Sequence, residues 1–200
     1  GPLCAEQMLY AACFRAMEEI SEQIGKDGSV YRAEYEKLTA VIEKFFWDEE
    51  KGAYIDSFTS GRRNVTRHAN IFAILFSIAD ETKQEKILKN VLENDEIPAI
   101  TTPYFNFFEL DVLCRMGKLT EVLDKIRSYW GGMLDLGAVT FWEEYDPSVP
   151  KEEQYDMYGD HFGKSLCHAW AASPIYFLAK YFAGLDLVNK DGVTYILKPQ

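Results

Sequence analysis

Apolar residues recur at three- and four-residue steps between Cys4 and Ile24, at Met8, Leu9, Ala12, Cys13, Ala16, Met17 and Ile20. That spacing predicts an amphipathic helix, stopped by Gly25 and the Lys26-Asp27-Gly28 that follows. A second helix is predicted over Tyr31 to Phe46, with Tyr35, Leu38, Val41, Ile42 and Phe45 on one face. After the turn at Asp48 to Gly52, Ala53 to Phe58 reads as a short extended segment. The third helix, Thr66 to Ala79, is apolar nearly all round, the mark of burial on more than one side. Lys83 to Leu92 is amphipathic again.

Beyond Pro98 an uncharged stretch leads into a fifth helix ending near Met116, with Gly117 as its stop. Thr120 to Trp130 is the sixth, and Gly131-Gly132 is expected to loosen the chain behind it. A long polar loop fills Gly137 to Gly159, and loops of that length in compact domains tend to carry function. Ser165 to Phe182 is expected to be a seventh helix, kinked at Pro174. The tail switches to period two at Leu187, Val193, Tyr195 and Leu197 around Asn189-Lys190-Asp191-Gly192, which signals a β-hairpin. More apolar helices (first, third, fifth, seventh) thus alternate with more amphipathic ones. Such alternation suits an α-solenoid or an α/α toroid with one helix of each pair inside. The absence of a fixed sequence period disfavours a regular repeat array.

Composition narrows this picture. The 200 residues are 48% hydrophobic, which argues against disorder, and carry a net charge of −11. That sign argues against nucleic acid or an anionic membrane as partner. No apolar run approaches the ~20 residues of a membrane span. Cys4, Cys13, Cys114 and Cys167 form no CxxC pair and read as free buried thiols in apolar contexts. His68, His161 and His168 lack the spacing of a helical metal pair, so no metal and no cofactor is expected.

The strongest chemical constellation is Thr140-Phe141-Trp142-Glu143-Glu144-Tyr145-Asp146, three carboxylates among three aromatics. A carboxylate against aromatic walls loses hydration, which suits proton transfer. Aromatic faces also stack on the apolar faces of sugar rings. A solvated acidic loop over a core plugged by those aromatics fits the same spacing. Further polar and aromatic residues gather at predicted helix ends: Arg67-His68-Ala69-Asn70, Thr101 to Asn106 with Tyr104, Trp130, and His168 with Trp170. In a toroid such ends meet at one mouth. Singly, each is equally a cap, a core aromatic or a satisfied core histidine.

The run TPYFNFFELDVLCRMGKLTEVLDKIRSYWGGMLDLGAVTFWEEYDP resembles the C-terminal half of the catalytic domain of bacterial α-L-rhamnosidases. The likeness continues in FFWDEEKGAYIDSF, RHANIFAILF and GKSLCHAWAASPIYFLAKYFAGL. The paired TFWE and HAW motifs are its specific part. This resemblance implies an all-α fold: a partial (α/α)6 toroid of helical hairpins over residues 1–183. Residues 184–200 then form a short C-terminal β-hairpin that begins a β-sandwich. It implies inverting glycoside hydrolysis, in which one carboxylic acid protonates the leaving oxygen while a carboxylate roughly 6.5–9.5 Å away activates water. The family's base falls on Glu143 and its sugar-contacting histidine on His168; Trp142, Trp130, His68, Asn70 and Tyr104 are the further candidates for the sugar cavity.

The family's general acid lies in an acidic motif early in the toroid, and no segment before Tyr31 resembles it. Seven predicted helices also fall short of the twelve of a full toroid. The expectation is therefore a C-terminal portion with half an active site, inactive alone, acting on a terminal rhamnoside once completed. Uncovered inner-helix surface is expected to favour self-association. A non-catalytic helical carbohydrate-binding or scaffold module is the alternative; it predicts Glu143 exposed, or paired with a local Lys or Arg. The compartment, bacterial cytoplasm or periplasm, is not legible.

Overall fold

The computed structural model describes residues 1–188 and 194–200, which divide into two compact units, Gly1–Ala99 and Ile100–Gln200. Among the described residues its regular structure is helical apart from two small antiparallel strand pairs.

In the first unit, α1 (Cys4–Gln23) and α2 (Ser29–Phe46) form an antiparallel hairpin. Gly25 turns the chain with φ of 71°. Arg32, early in α2, bridges Glu18 and Glu22 at the end of α1. Strands β1 (Trp47–Asp48) and β2 (Ala53–Tyr54) pair next, Trp47 opposite Tyr54. Their turn is organised by the buried Asp48, which accepts from the Glu50 and Lys51 amides and is clamped by Arg63. Helices α3 (Arg67–Leu75) and α4 (Glu81–Ile87) follow. Asp80 caps α4 through the Lys83 amide, and a wider-turned segment, Leu88–Leu92, prolongs it.

Helix α3 is the buried helix that its sequence predicts, with seven of its nine residues inaccessible. Two of those seven are polar, and both are fully used. Asn70 accepts from the Tyr54 amide at 2.8 Å and donates to the carbonyls of Tyr54 and Thr66. Arg67 sends its guanidinium to the carbonyls of Leu92, Asn94, Ile97 and Pro98, at 2.9–3.3 Å. Burying a charge is tolerable when donors and acceptors match in this way.

Helix α1 departs from expectation. Its buried residues are Cys4, Met8, Ala11 and Ser21, while Leu9, Met17 and Ile20 stay exposed. Two of the thiols differ as well: Cys13 and Cys167 are exposed, and only Cys4 and Cys114 are buried. Cys13 lies one turn from Leu9 and Met17 and shares their open face, whereas Cys167 belongs to a loop rather than a helix.

In the second unit, Pro103 opens α5 (Pro103–Arg115), where its missing N–H costs nothing. The next helix, α6 (Leu119–Asp135), runs straight through Gly131-Gly132 instead of stopping at Trp130. Gly132 is there for contact: a Cβ would collide with the Tyr145 ring. Glu109 of α5, 1% exposed, pairs with Lys125 of α6 at 2.8 Å.

The expected seventh helix also starts later. Residues from Ser165 to His168 are not helical, and Ala169–Ala171 makes a single tight turn. Helix α7 (Ser173–Phe177) then begins with Pro174 in its first turn, so this proline starts a helix rather than kinking one. Leu178–Phe182 continues it, and Tyr181 bonds Asp111 of α5 at 2.6 Å. Strands β3 (Leu185–Leu187) and β4 (Tyr195–Leu197) pair antiparallel, as the period-two tail predicts. The expected turn at Asn189 to Gly192, with Val193, lies outside the described residues.

Candidate functional site

The site is built from loop segments of the second unit. Residues 141–143 run antiparallel to residues 165–168: the Glu143 amide donates to the Ser165 carbonyl at 2.9 Å, and the His168 amide to the Phe141 carbonyl at 2.8 Å. The Thr140 hydroxyl bonds the Leu166 carbonyl and extends this clasp. Trp142 plugs the clasp from below, 3% exposed and packed on Tyr155.

Glu143 is 5% exposed, and both its oxygens are held. Oε1 accepts the Tyr158 hydroxyl at 2.9 Å and Oε2 accepts the Ser165 amide at 3.1 Å. His168 Nδ1 stands 3.7 Å from Oε2. That gap is too long for a direct hydrogen bond and is one that a water or a ligand hydroxyl can bridge. A carboxylate has about four lone-pair sites, so two held oxygens still leave acceptor capacity. Glu144, next in sequence, turns the other way and accepts the Thr101 hydroxyl at 3.0 Å.

Beside this carboxylate lies an accessible aromatic ledge. The His168 and Trp170 rings stack with centroids 4.0 Å apart, and Trp170 meets Tyr104 at 5.4 Å. Tyr104 and Trp170 are both exposed, while Trp170 Nε1 leans to the Glu143 carbonyl at 3.4 Å. Lys164 lies buried in the same loop, and desolvation pulls its ammonium below the ordinary lysine value against the attraction of Glu144 and Asp146.

Of the residues singled out from sequence, Glu143, His168 and Tyr104 share this site. Trp130 does not present a face there; it is buried and donates to the Ala171 carbonyl at 2.8 Å, fixing the turn just after Trp170. Trp142 is likewise a plug beneath the carboxylate rather than a wall. His68 and Asn70 belong to the first unit, where His68 is exposed and Asn70 is fully buried as a stitch to β2.

Sequence reading missed Tyr158. It sits at φ of 57°, followed by Gly159 at 81°, in a turn closed by the Met157–Asp160 bridge. A tyrosine in the left-handed region is uncommon and marks a position worth its strain. The glycine behind it was the only trace in the sequence. Hydrogen bonding to Glu143 pushes the Tyr158 phenol above its ordinary value. In Glu143→Gln the phenol is expected to titrate at lower pH, because the negative charge that penalises phenolate is gone. Tyrosine ¹³Cζ NMR across an alkaline titration measures this; an unmoved Tyr158 resonance removes the contact.

Comparison with known proteins gives this arrangement a family. The family described as bacterial alpha-L-rhamnosidase 6 hairpin glycosidase domain matches residues 3–182. Among solved structures, the chain is similar to a rhamnosidase from Klebsiella oxytoca with rhamnose bound. Identity is 28% and the TM-score 0.76, over 89% of this chain and 34% of that one. It is also similar to a GH78 family rhamnosidase of Bacillus sp. GL1, at 26% identity and a TM-score of 0.83, over 100% of this chain and 21% of that one. An α-L-rhamnosidase of Streptomyces avermitilis complexed with L-rhamnose shares the fold, at 15% identity and a TM-score of 0.69, over 97% of this chain and 18% of that one. No curated protein matches the chain. The chain spans about a third or less of the length of these enzymes. Its helical hairpins and its TFWE loop fall within one family match that covers 180 of its 200 residues, and the chain belongs to the bacterial α-L-rhamnosidase six-hairpin glycosidase domain family.

Proposed function

We propose that this chain carries the water-activating half of an inverting α-L-rhamnosidase centre. Glu143 is the general base. His168 binds a sugar hydroxyl, Tyr104 and Trp170 form the ledge for the sugar ring, and Tyr158 positions the base. The general acid comes from a segment outside these 200 residues, so the chain alone does not hydrolyse rhamnosides. In this reading β3 and β4 open a following β-sandwich, and the exposed Leu9, Met17 and Ile20 of α1 serve self-association.

The observation that carries the proposal is the setting of the Glu143 carboxylate: buried, fixed by two donors and next to an accessible aromatic ledge. A base must be aimed before it is basic, and the Tyr158 hydroxyl and Ser165 amide aim it. A non-catalytic module gives no reason to bury Glu143 and orient it in this way.

Titrating L-rhamnose into the chain is expected to change tryptophan fluorescence, because Trp170 is the exposed indole of the ledge. Trp170→Phe is expected to remove that response, since Trp47, Trp130 and Trp142 are buried. A full response in Trp170→Phe displaces the sugar from this ledge.

A further inference from the structure

The first unit holds an open cleft of about 770 Å³ between the β1–β2 turn, the loop before α3 and the end of the α4 continuation. Four of the chain's 21 basic residues line it, Lys51, Arg62, Arg63 and Lys89, against two acidic ones, Glu50 and Glu96. A net charge of −11 makes that gathering of cations uneven. Arg63 is spoken for by Asp48 at 2.8 Å, whereas Lys51, Arg62 and Lys89 are exposed.

The cleft is built, not incidental. Arg67 lies behind one wall and gathers the carbonyls of Leu92, Asn94, Ile97 and Pro98. Asn90 donates to the Lys51 carbonyl at 3.0 Å and ties the opposite wall to the turn. Gly52, at φ of 57°, permits that tie, because a Cβ there would stand 2.6 Å from Asn90 Nδ2. Asn64 and Asn90 line the cleft as well, and side-chain amides carry both donors and acceptors, which fits a polyhydroxy ligand.

No aromatic residue is among those lining the cleft. A neutral sugar binds largely by laying its apolar face on such a ring. Here charge and hydrogen bonds must carry recognition instead. We propose that this cleft binds an acidic saccharide, its anionic group held by Arg62 and Lys89 and its hydroxyls by Asn64 and Asn90. Carboxylate and sulfate share this chemistry, and Arg is the side chain best shaped for either. The proposal goes beyond the role given to Glu143 and does not depend on it.

The test uses the ¹⁵N-labelled chain at low salt with three probes: D-galacturonate, D-galactose and inorganic sulfate. Galacturonate is expected to shift the amides of residues 62–66 and 89–90, with galactose leaving them in place and sulfate moving them less. Raising the salt is expected to weaken binding, because exposed charges are screened within about 10 Å at 0.1 M. The double variant Arg62→Ala with Lys89→Ala is expected to bind galacturonate about tenfold more weakly, about 1.4 kcal/mol. Both residues are exposed, so its melting temperature is expected to hold. Glu143→Gln is expected to leave galacturonate binding unchanged, which separates this cleft from the proposed base. Equal shifts with galactose overturn the charge-based reading. Sulfate matching galacturonate overturns the saccharide part, and no shift with galacturonate overturns the whole; all three read the unaltered chain.

Discussion

Glu143→Gln is expected to abolish hydrolysis of an aryl α-L-rhamnoside while leaving the melting temperature nearly unchanged. The assay belongs in a protein where this sequence is joined to the segment proposed to supply the general acid. Removing a positioned base costs about 10²–10⁴-fold in rate. The fold tolerates the amide for a specific reason. Its oxygen can accept the Ser165 amide, and its NH₂ can donate to the Tyr158 hydroxyl, which reverses its role from donor to acceptor. Loss of activity with loss of folding would speak only of structure. Full activity in a well-folded Glu143→Gln enzyme takes the base assignment away from this residue.

Arg67→Met is the substitution with the largest expected effect on stability. It leaves the carbonyls of Leu92, Asn94, Ile97 and Pro98 without their common donor. Each buried acceptor left unmade costs about 1–3 kcal/mol, discounted where water can reach. The expected loss is about 3–4 kcal/mol, roughly a 10 °C fall in Tm. Arg67→Lys is expected to recover only a part, because an ammonium is a point charge and cannot fork across four carbonyls. Thermal unfolding followed by circular dichroism reads both, and a loss below about 1 kcal/mol for Arg67→Met would show that water replaces the guanidinium.

Sequence pattern points to each of α1 to α7, because an amphipathic or buried helix writes its face into residue spacing, although it starts α7 at Ser165 instead of Ser173 and gives no sign of the short turns Lys151–Glu153 and Ala169–Ala171. The resemblance singles out Glu143 and His168, which the fold brings to 3.7 Å of each other. What stayed hidden depended on partners far along the chain. Gly131-Gly132 reads as a stop, yet the need behind Gly132 is the ring of Tyr145. Pro174 reads as a kink until residues 165–168 prove non-helical and α7 proves to begin only at Ser173. Asn70 and Trp130 look like ligand-facing polar and aromatic groups, but their hydrogen bonds go to backbone at Tyr54, Thr66 and Ala171. Tyr158 reaches Glu143 across 15 residues of loop by a left-handed turn, which no local pattern announces.

The clasp between residues 141–143 and 165–168 has a further consequence. The proposed base is mounted on no helix, and its amide and those of Ser165 and His168 are bonded only within this pair of segments. Such a pair opens as one cooperative patch, separately from global unfolding. Hydrogen exchange at these three amides should therefore share a single rate, faster than in α5. Every opening of that patch also releases the carboxylate from its amide donor. The same exchange rate then reports how often the centre is out of register, and a bound sugar that bridges His168 and Glu143 should slow it.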